Sequence, residues 1–195
     1  MLKLGNMKKI YVEIFQKAIP FLKKGKNKDF VKHTKWVIKS MEMLLKKEKG
    51  DEDILMPAAI LHDIGWAKVP LDLQRVKNKS KAKKALELHL KYCSPIAKSI
   101  LDGFNYDQLK TRKIIDIMVA HKFKNPRDLS KRLLIDADSL SDVFKEAFYE
   151  DVKQYKVTSK ELYNFRKANK FYTKTAKIIF DKELEKRRKE INFSK

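Results

Sequence analysis

Apolar residues recur at intervals of three and four along most of this chain, and that spacing is the period of one face of an α-helix. The clearest case is a stretch whose inward-facing positions share one helical face: Phe30, His33, Val37, Met41 and Leu44. Similar spacing predicts further helices over residues 8–24, 51–65, 86–93, 96–101, 108–124, 130–148 and 159–190, the last stretch as one or two helices. The pattern therefore predicts an all-α fold.

Polar residues, glycine and proline between these stretches predict where the helices begin and end. Asn27 or Asp29 suits the N-cap of the second helix, because a short polar side chain accepts a hydrogen bond from the first turn. Gly65 is predicted to end the third helix. Pro95 suits the first residue of a new helix, and Ser130 suits the cap of the apolar stretch over residues 130–148.

Length and composition predict a single globular unit. The chain has 195 residues, 43% of them hydrophobic, which is enough to bury a substantial core. Five glycines and five prolines are too few for the many turns of an all-β sandwich or barrel. We predict one domain over residues 1–195, with a core at about 28–150 on which the first helix, 8–24, and the last helices, 159–190, pack.

Cysteine content and hydropathy bear on the cellular compartment. Cys93 is the only cysteine and cannot form an internal disulfide, which argues against the disulfide-stapled secreted class. No apolar run reaches the roughly 18 residues of a membrane span, and the most apolar N-terminal piece, 10–22, is interrupted by polar residues and by Pro20. These features predict a cytoplasmic protein with no membrane span and no signal peptide.

The chain carries a large positive charge, with 46 Lys and Arg against 25 Asp and Glu and a net charge of +21. Such an excess favours a polyanionic partner, which could be nucleic acid, an anionic membrane surface or a phosphorylated metabolite. Lysines spread over every helix can also serve solubility alone, so the charge does not choose among these interpretations. The lysine-rich stretch 77–84 is predicted to be a solvated connection that could cover a site.

Four histidines and three acids lie at apolar faces or near helix ends. The histidines are His33, His62, His89 and His121, and the acids are Asp63, Asp136 and Asp138. A single buried histidine is usually a hydrogen-bonded core residue, whereas four of them beside buried carboxylates provide the ligands of a divalent metal. Nitrogen and oxygen ligands without a thiolate suit Mg, Mn, Fe, Ni, Co or Zn alike.

The adjacent pair His62 and Asp63 has a special requirement. Consecutive residues in a helix point about 100° apart, so the two can converge on one ion only where the helix ends. Gly65 provides that ending. Cys93, about one turn from His89, is interpreted as a small core residue rather than a ligand.

The order of these residues resembles the HD superfamily of metal-dependent phosphohydrolases. The matching elements are His33, the segment Leu61-His62-Asp63-Ile64-Gly65, His89, His121 and Ala137-Asp138-Ser139-Leu140, which together span about 30–142. The final helices also resemble those that close small single-domain members. The resemblance implies a compact all-α bundle of the HD-domain type that binds one or two divalent ions.

The resemblance also implies roles for individual residues. His33, His62, Asp63 and Asp138 would hold a first metal ion, and Asp63 would orient or deprotonate the attacking water as the catalytic residue. Asp138 is preferred to Asp136 as the ligand, because the family motif places the ligand after an alanine and before a hydrophobe two residues on.

The remaining positions leave alternatives open. His89 and His121 match the two additional histidines of members that bind a second metal ion or contact the substrate phosphate. Members with the sequence His-Asp-Ile-Gly-Lys have a lysine where this chain has Trp66. Lys68 or Lys122 could bind the substrate in its place, and Trp66 could form either a platform for a base or an apolar lid.

Three functions fit these features. The first is a metal-dependent phosphohydrolase that cleaves a phosphomonoester or phosphodiester bond of a nucleotide or a similar small phosphorylated substrate. The second is a di-iron oxygenase on the same helical scaffold. The third is a nucleic-acid-binding module with a regulatory metal site. The sequence leaves open the natural substrate, the metal and the oligomeric state.

Overall fold

The computed structural model describes residues 7–25, 30–74, 78–120 and 125–191, and within these ranges the regular structure is entirely helical. The helices are α1 (Lys9–Leu22), α2 (Phe30–Leu45), α3 (Glu52–Leu61), α4 (Lys79–Asp102), α5 (Gln108–Ala120), α6 (Leu129–Ser141), α7 (Lys145–Tyr155), α8 (Ser159–Arg166) and α9 (Lys174–Glu190), with a 3₁₀ helix (Ile64–Lys68) after α3. The all-α prediction is confirmed. None of the described helices combines the length and the apolar character needed to cross a membrane.

Helix α3 lies at the centre of the fold. All of its residues from Ile54 to Leu61 are buried, so this helix has no solvated face after its first turn. A helix that is apolar on all sides is stable only when other helices surround it. Helices α1, α2, α5 and α6 pack around α3, and the C-terminal end of α3 therefore lies deep in the molecule.

The helices outside this central group share its core. Tyr11 and Ile14 of α1 and Phe180 of α9 belong to the same cluster of buried apolar side chains as the residues of α3. Asp136 in α6 fastens the start of α9 by accepting hydrogen bonds from the backbone N–H groups of Tyr172 and Thr173. The single domain stays a prediction, and this common core supports it.

Two of the predicted helix boundaries around the centre are wrong. Helix α3 ends at Leu61 and not at Gly65, which lies inside the 3₁₀ helix. No glycine in the described ranges has a positive φ, so Gly65 does not act as a left-handed terminator. Helix α4 continues through Pro95, which is exposed, so the carbonyl that loses its helical partner can bind water instead.

The predictions for residues 77–84 and 130–148 also need correction. Helix α4 begins at Lys79, so most of the lysine-rich stretch is helical rather than a connection. The apolar stretch 130–148 is divided into α6 and α7, because Phe144 takes an extended conformation and packs in a small separate cluster with Trp36. Asp128, rather than Ser130, caps α6. The cap predicted at Asn27 or Asp29 lies outside the described residues.

Candidate metal centre

The end of α3 places two consecutive polar side chains at one point. His62 still has helical backbone angles, whereas Asp63 has a φ of −106° and a ψ of 3°, in the bridge region that is common at active sites. His62 Nδ1 lies 2.8 Å from the carbonyl oxygen of Ala59. Because a carbonyl can only accept, Nδ1 carries the proton and Nε2 faces the site.

Gly65 allows the 3₁₀ helix to lie directly against α4. A Cβ atom at this position would be 2.1 Å from the carbonyl oxygen of His89 and 2.9 Å from the backbone nitrogen of Cys93. The Cys93 thiol also donates to the carbonyl oxygen of His62 at 3.1 Å. The absence of a side chain at Gly65 therefore brings α4, with His89, against the end of α3.

Four of the predicted ligands meet between α2, α3 and α6. Ligand atoms of His33, His62 and Asp138 all lie within 4.8 Å of one another. His33 Nε2 is 3.0 Å from Asp138 Oδ1, and His62 Nε2 is 3.7 Å from the same oxygen. Asp63 Oδ2 lies 3.5 Å from His33 Nε2 and 3.4 Å from His62 Nε2.

These separations fit the coordination of one divalent ion. Ligands about 2.1 Å from an ion stand about 3.0–3.4 Å apart in octahedral or tetrahedral geometry. The donors are two imidazole nitrogens and two carboxylates. His33, His62 and Asp63 are almost completely buried, and Asp138 is partly exposed. The residues therefore fit a metal, and the partly exposed Asp138 leaves a side of the cluster open to solvent.

The electrostatics of this cluster also favour a cation. Burial alone would lower the pKa of His62, but the neighbouring carboxylates of Asp63 and Asp138 outweigh burial and raise that pKa to about 10. The two carboxylates thus draw positive charge to the place where the four ligands meet. A metal ion bound there would experience the same field.

Ser141 is a residue of the site that sequence reasoning missed. Its hydroxyl donates to the backbone carbonyl of Asp138 at 2.7 Å and lies 3.5 Å from Nδ1 of His33. The hydroxyl can therefore accept from Nδ1, which leaves Nε2 of His33 directed at Asp63 and Asp138. The signal in the sequence was its position three residues after Asp138, one helical turn away.

The other predicted site residues occupy different places. His89 is buried beside the cluster, with Nε2 3.8 Å from Oδ1 of Asp63. Lys68 is exposed at the end of the 3₁₀ helix. His121 and Lys122 lie outside the described residues. Asp136, the alternative to Asp138, is fully buried on the side of α6 that meets α9.

Trp66 covers part of the site. Its ring stacks on the His89 imidazole with a centroid distance of 4.6 Å and lies nearly parallel to Phe30 at 6.2 Å. Its indole N–H donates to Oδ1 of Asp63 at 3.2 Å. Trp66 is thus engaged with the residues of the site itself.

A cavity of about 490 Å³ between α7 and α8 contains none of these groups. Its lining is Tyr155, Val157, Glu161, Leu162, Phe165 and Arg166. The only cation among these residues, Arg166, is paired with Asp142 at 2.8 Å and with Asp151 at 2.5 Å. This cavity therefore lies apart from the predicted ligands.

Comparison with known families gives one result. The family model described as HD domain matches residues 30–142, more than half of the chain, and this segment contains all four clustered ligands. No curated protein and no solved structure matches the chain.

Proposed function

The chain belongs to the HD domain family, and from that premise we propose that it hydrolyses a phosphomonoester or phosphodiester bond of a nucleotide or a similar small phosphorylated compound. The family supports metal-dependent hydrolysis of a phosphoester in general. The nucleotide is proposed because phosphoesters of nucleotides are among the substrates that the family resemblance implies, and the net charge of +21 is compatible with any such anionic substrate.

One observation carries the proposal: His33, His62, Asp63 and Asp138 converge from three different helical segments. Nε2 of each histidine stands 3.0–3.7 Å from a carboxylate oxygen of each acid, although the residues span more than a hundred positions of the chain. Two carboxylates inside a protein are costly without positive charge beside them, and a divalent ion would supply that charge in place of a second proton on His62. A bound divalent ion would lower the pKa of water and offset negative charge on a phosphoryl oxygen.

The chain's own residues would perform the remaining tasks. Asp63 is proposed as the catalytic residue, since its carboxylate adjoins the ligands and can orient a water molecule or take its proton. His89 would hold a substrate oxygen or a second ion. Lys68 and Lys122 are proposed to bind the phosphate, because a lysine is a strong donor to that group.

The test combines metal content with phosphate release. The purified protein, reconstituted with divalent ions, is screened for phosphate release from nucleotides, cyclic nucleotides and sugar phosphates. We expect one class to be turned over, and His62→Ala and Asp63→Ala to lose both the metal and the activity while retaining a helical spectrum. Asp181→Ala is the matched control, because Asp181 is an exposed residue paired with Lys177.

Retained activity in both His62→Ala and Asp63→Ala would contradict the site. Iron with oxygen uptake and no phosphate release would instead support the di-iron oxygenase. Salt-sensitive binding of nucleic acid without turnover would support the binding module.

A further inference from the structure

Trp66 stands directly over Asp63 because of the local backbone. In a 3₁₀ helix, residues three apart are almost eclipsed, and Trp66 follows Asp63 by three positions. The indole N–H donates to Oδ1 of Asp63 at 3.2 Å. The tight turn after α3 therefore places a hydrogen-bond donor, the indole N–H of Trp66, next to Oδ1 of the proposed ligand Asp63.

The Trp66 ring is held in place by other aromatic residues. It lies within 14° of parallel to His89 and within 8° of parallel to Phe30. His89 is buried, and the close contact between the 3₁₀ helix and α4 at Gly65 fixes its distance from Trp66. The stacking thus fixes the plane of the indole, and the hydrogen bond to Asp63 fixes the direction of its N–H in that plane.

The two oxygens of Asp63 consequently have different surroundings. Oδ2 lies 3.5 Å from His33 Nε2 and 3.4 Å from His62 Nε2, among the other ligands. Oδ1 lies 3.2 Å from the indole nitrogen and 3.8 Å from His89 Nε2. A carboxylate that bridges two metal ions uses one oxygen for each ion. In Asp63 the positive end of the indole N–H dipole points at Oδ1, the oxygen that a second ion would need.

We infer that Trp66 is a positioning residue: it holds Oδ1 of Asp63, directs Oδ2 to the ligands at the end of α3, and restricts the centre to one metal ion. The inference rests on the proposed function only in requiring that the centre binds a divalent ion. Trp66 is not a platform for a base in this arrangement, because its ring and its N–H serve His89 and Asp63.

The experiment measures binding of Co²⁺ to the full chain after chelation. Stoichiometry comes from elemental analysis, affinity from calorimetry and ligand geometry from the visible absorption of the bound ion. Trp66→Phe keeps an aromatic ring for stacking on His89 but lacks the N–H donor. Trp36→Phe is the matched control, because it makes the same exchange in the small cluster around Phe144.

We expect one Co²⁺ per chain in the wild type and in Trp36→Phe. In Trp66→Phe we expect affinity to fall about 10–100-fold, as for other residues that orient a ligand, with a changed absorption spectrum. Two Co²⁺ per wild-type chain would overturn the inference, as would wild-type affinity and spectrum in Trp66→Phe. The wild-type stoichiometry decides the one-ion claim even if the variant does not fold.

The outcomes separate this inference from the proposed function. One Co²⁺ per chain and a weakened Trp66→Phe variant, without any phosphate release, would support the inference and contradict the proposed hydrolase. A wild type that binds no Co²⁺ would overturn both.

Discussion

At the scale of single residues, two acids of α6 illustrate how position on a helix decides a role. Asp136 and Asp138 are two residues apart, so their side chains point about 200° apart around the helix. Asp138 lies 3.0 Å from His33 in the cluster. Asp136 accepts from Tyr172 N and Thr173 N at 2.8 Å and from Thr173 Oγ1 at 2.7 Å. Asp138 therefore lies in the candidate metal centre, whereas Asp136 holds the start of α9 against α6.

The two acids should therefore separate binding from stability. Asp138→Ala is expected to weaken metal binding at least tenfold with little change in stability, since Asp138 is proposed as a ligand. Asp136→Ala is expected to lower the free energy of unfolding by about 2–4 kcal/mol, because buried donors lose a charged acceptor. Calorimetric metal binding and urea unfolding measure the two effects. Equal metal affinity in wild type and Asp138→Ala would contradict the assignment of this ligand.

The sequence left this choice open for a physical reason. Helical spacing shows that the two acids face opposite sides, but it does not show which side meets α2 and which meets α9. The family motif favoured Asp138, and the structure provides Asp136 with backbone donors more than thirty residues away in the sequence. Such long-range partners are not encoded in local periodicity.

At the scale of elements, the site depends on how closely the 3₁₀ helix approaches α4. A Cβ at Gly65 would lie 2.1 Å from the carbonyl oxygen of His89 and 2.9 Å from the backbone nitrogen of Cys93. Both of these atoms belong to the backbone of α4 rather than to a flexible side chain. A substitution at Gly65 therefore requires the two elements to separate. That movement would also take Trp66 away from His89.

Gly65→Ala is expected to cost about 2–4 kcal/mol of stability and to weaken metal binding. Gly103→Ala is the control, because its Cβ would meet the nearest carbonyl oxygen at 3.3 Å in ordinary helical backbone, and we expect a change of less than about 1 kcal/mol. Thermal unfolding and metal titration of both variants test the expectation. A Gly65→Ala protein with wild-type stability would show that the approach of the elements is not tight.

The residues at which helices begin and end were predicted less accurately than the presence of the helices themselves. Gly65 was expected to end a helix because glycine favours left-handed backbone, yet its role is to allow close packing. Pro95 was expected to begin a helix and lies inside one. The same residue types serve turns, caps and close contacts, and only the neighbouring elements decide between these uses.

At the scale of the whole molecule, Asp53 connects three helices. Its carboxylate accepts from Lys110 of α5, from Lys8 just before α1 and from the Tyr11 hydroxyl, at 2.5–2.8 Å. The Lys110 hydrogen bond, followed by those of Lys8 and Tyr11, lowers the pKa of Asp53. The hydroxyl of Tyr106 also donates to the Asp53 carbonyl at 2.6 Å. Helix α1, which lies outside the matched family segment, is held to the central helix in this way.

The lowered pKa of Asp53 predicts a pH-dependent loss of stability. The ionised carboxylate stabilises the folded state above its ordinary pKa, and this contribution disappears as the pH falls toward the lowered folded value. Asp53→Asn should thus cost about 1 kcal/mol near pH 7, a modest value because the pairs reach solvent, and less below about pH 4. Urea unfolding at several pH values measures the difference. A difference that is constant down to pH 2 would contradict the role of this charge; Asp181→Asn is the exposed control.

The fold class was predictable because helical periodicity is a local pattern. The family was predictable because the order of its His and Asp residues can be read directly along the chain. Both are confirmed. Four predicted ligands, His33, His62, Asp63 and Asp138, come together in the structure. The part played by Trp66 was not predictable in this form, because it depends on the distance between the 3₁₀ helix and α4. The assignment of individual roles stays a prediction that the proposed variants test.

The single cysteine provides a natural measure of how often this part of the molecule opens. The Cys93 thiol is completely buried and donates to the carbonyl of His62, directly behind a proposed ligand. A thiol reagent can reach the sulfur only when α4 separates from the end of α3. The rate of that reaction therefore reports the opening of the structure beside the candidate metal centre, and no cysteine has to be introduced for the measurement.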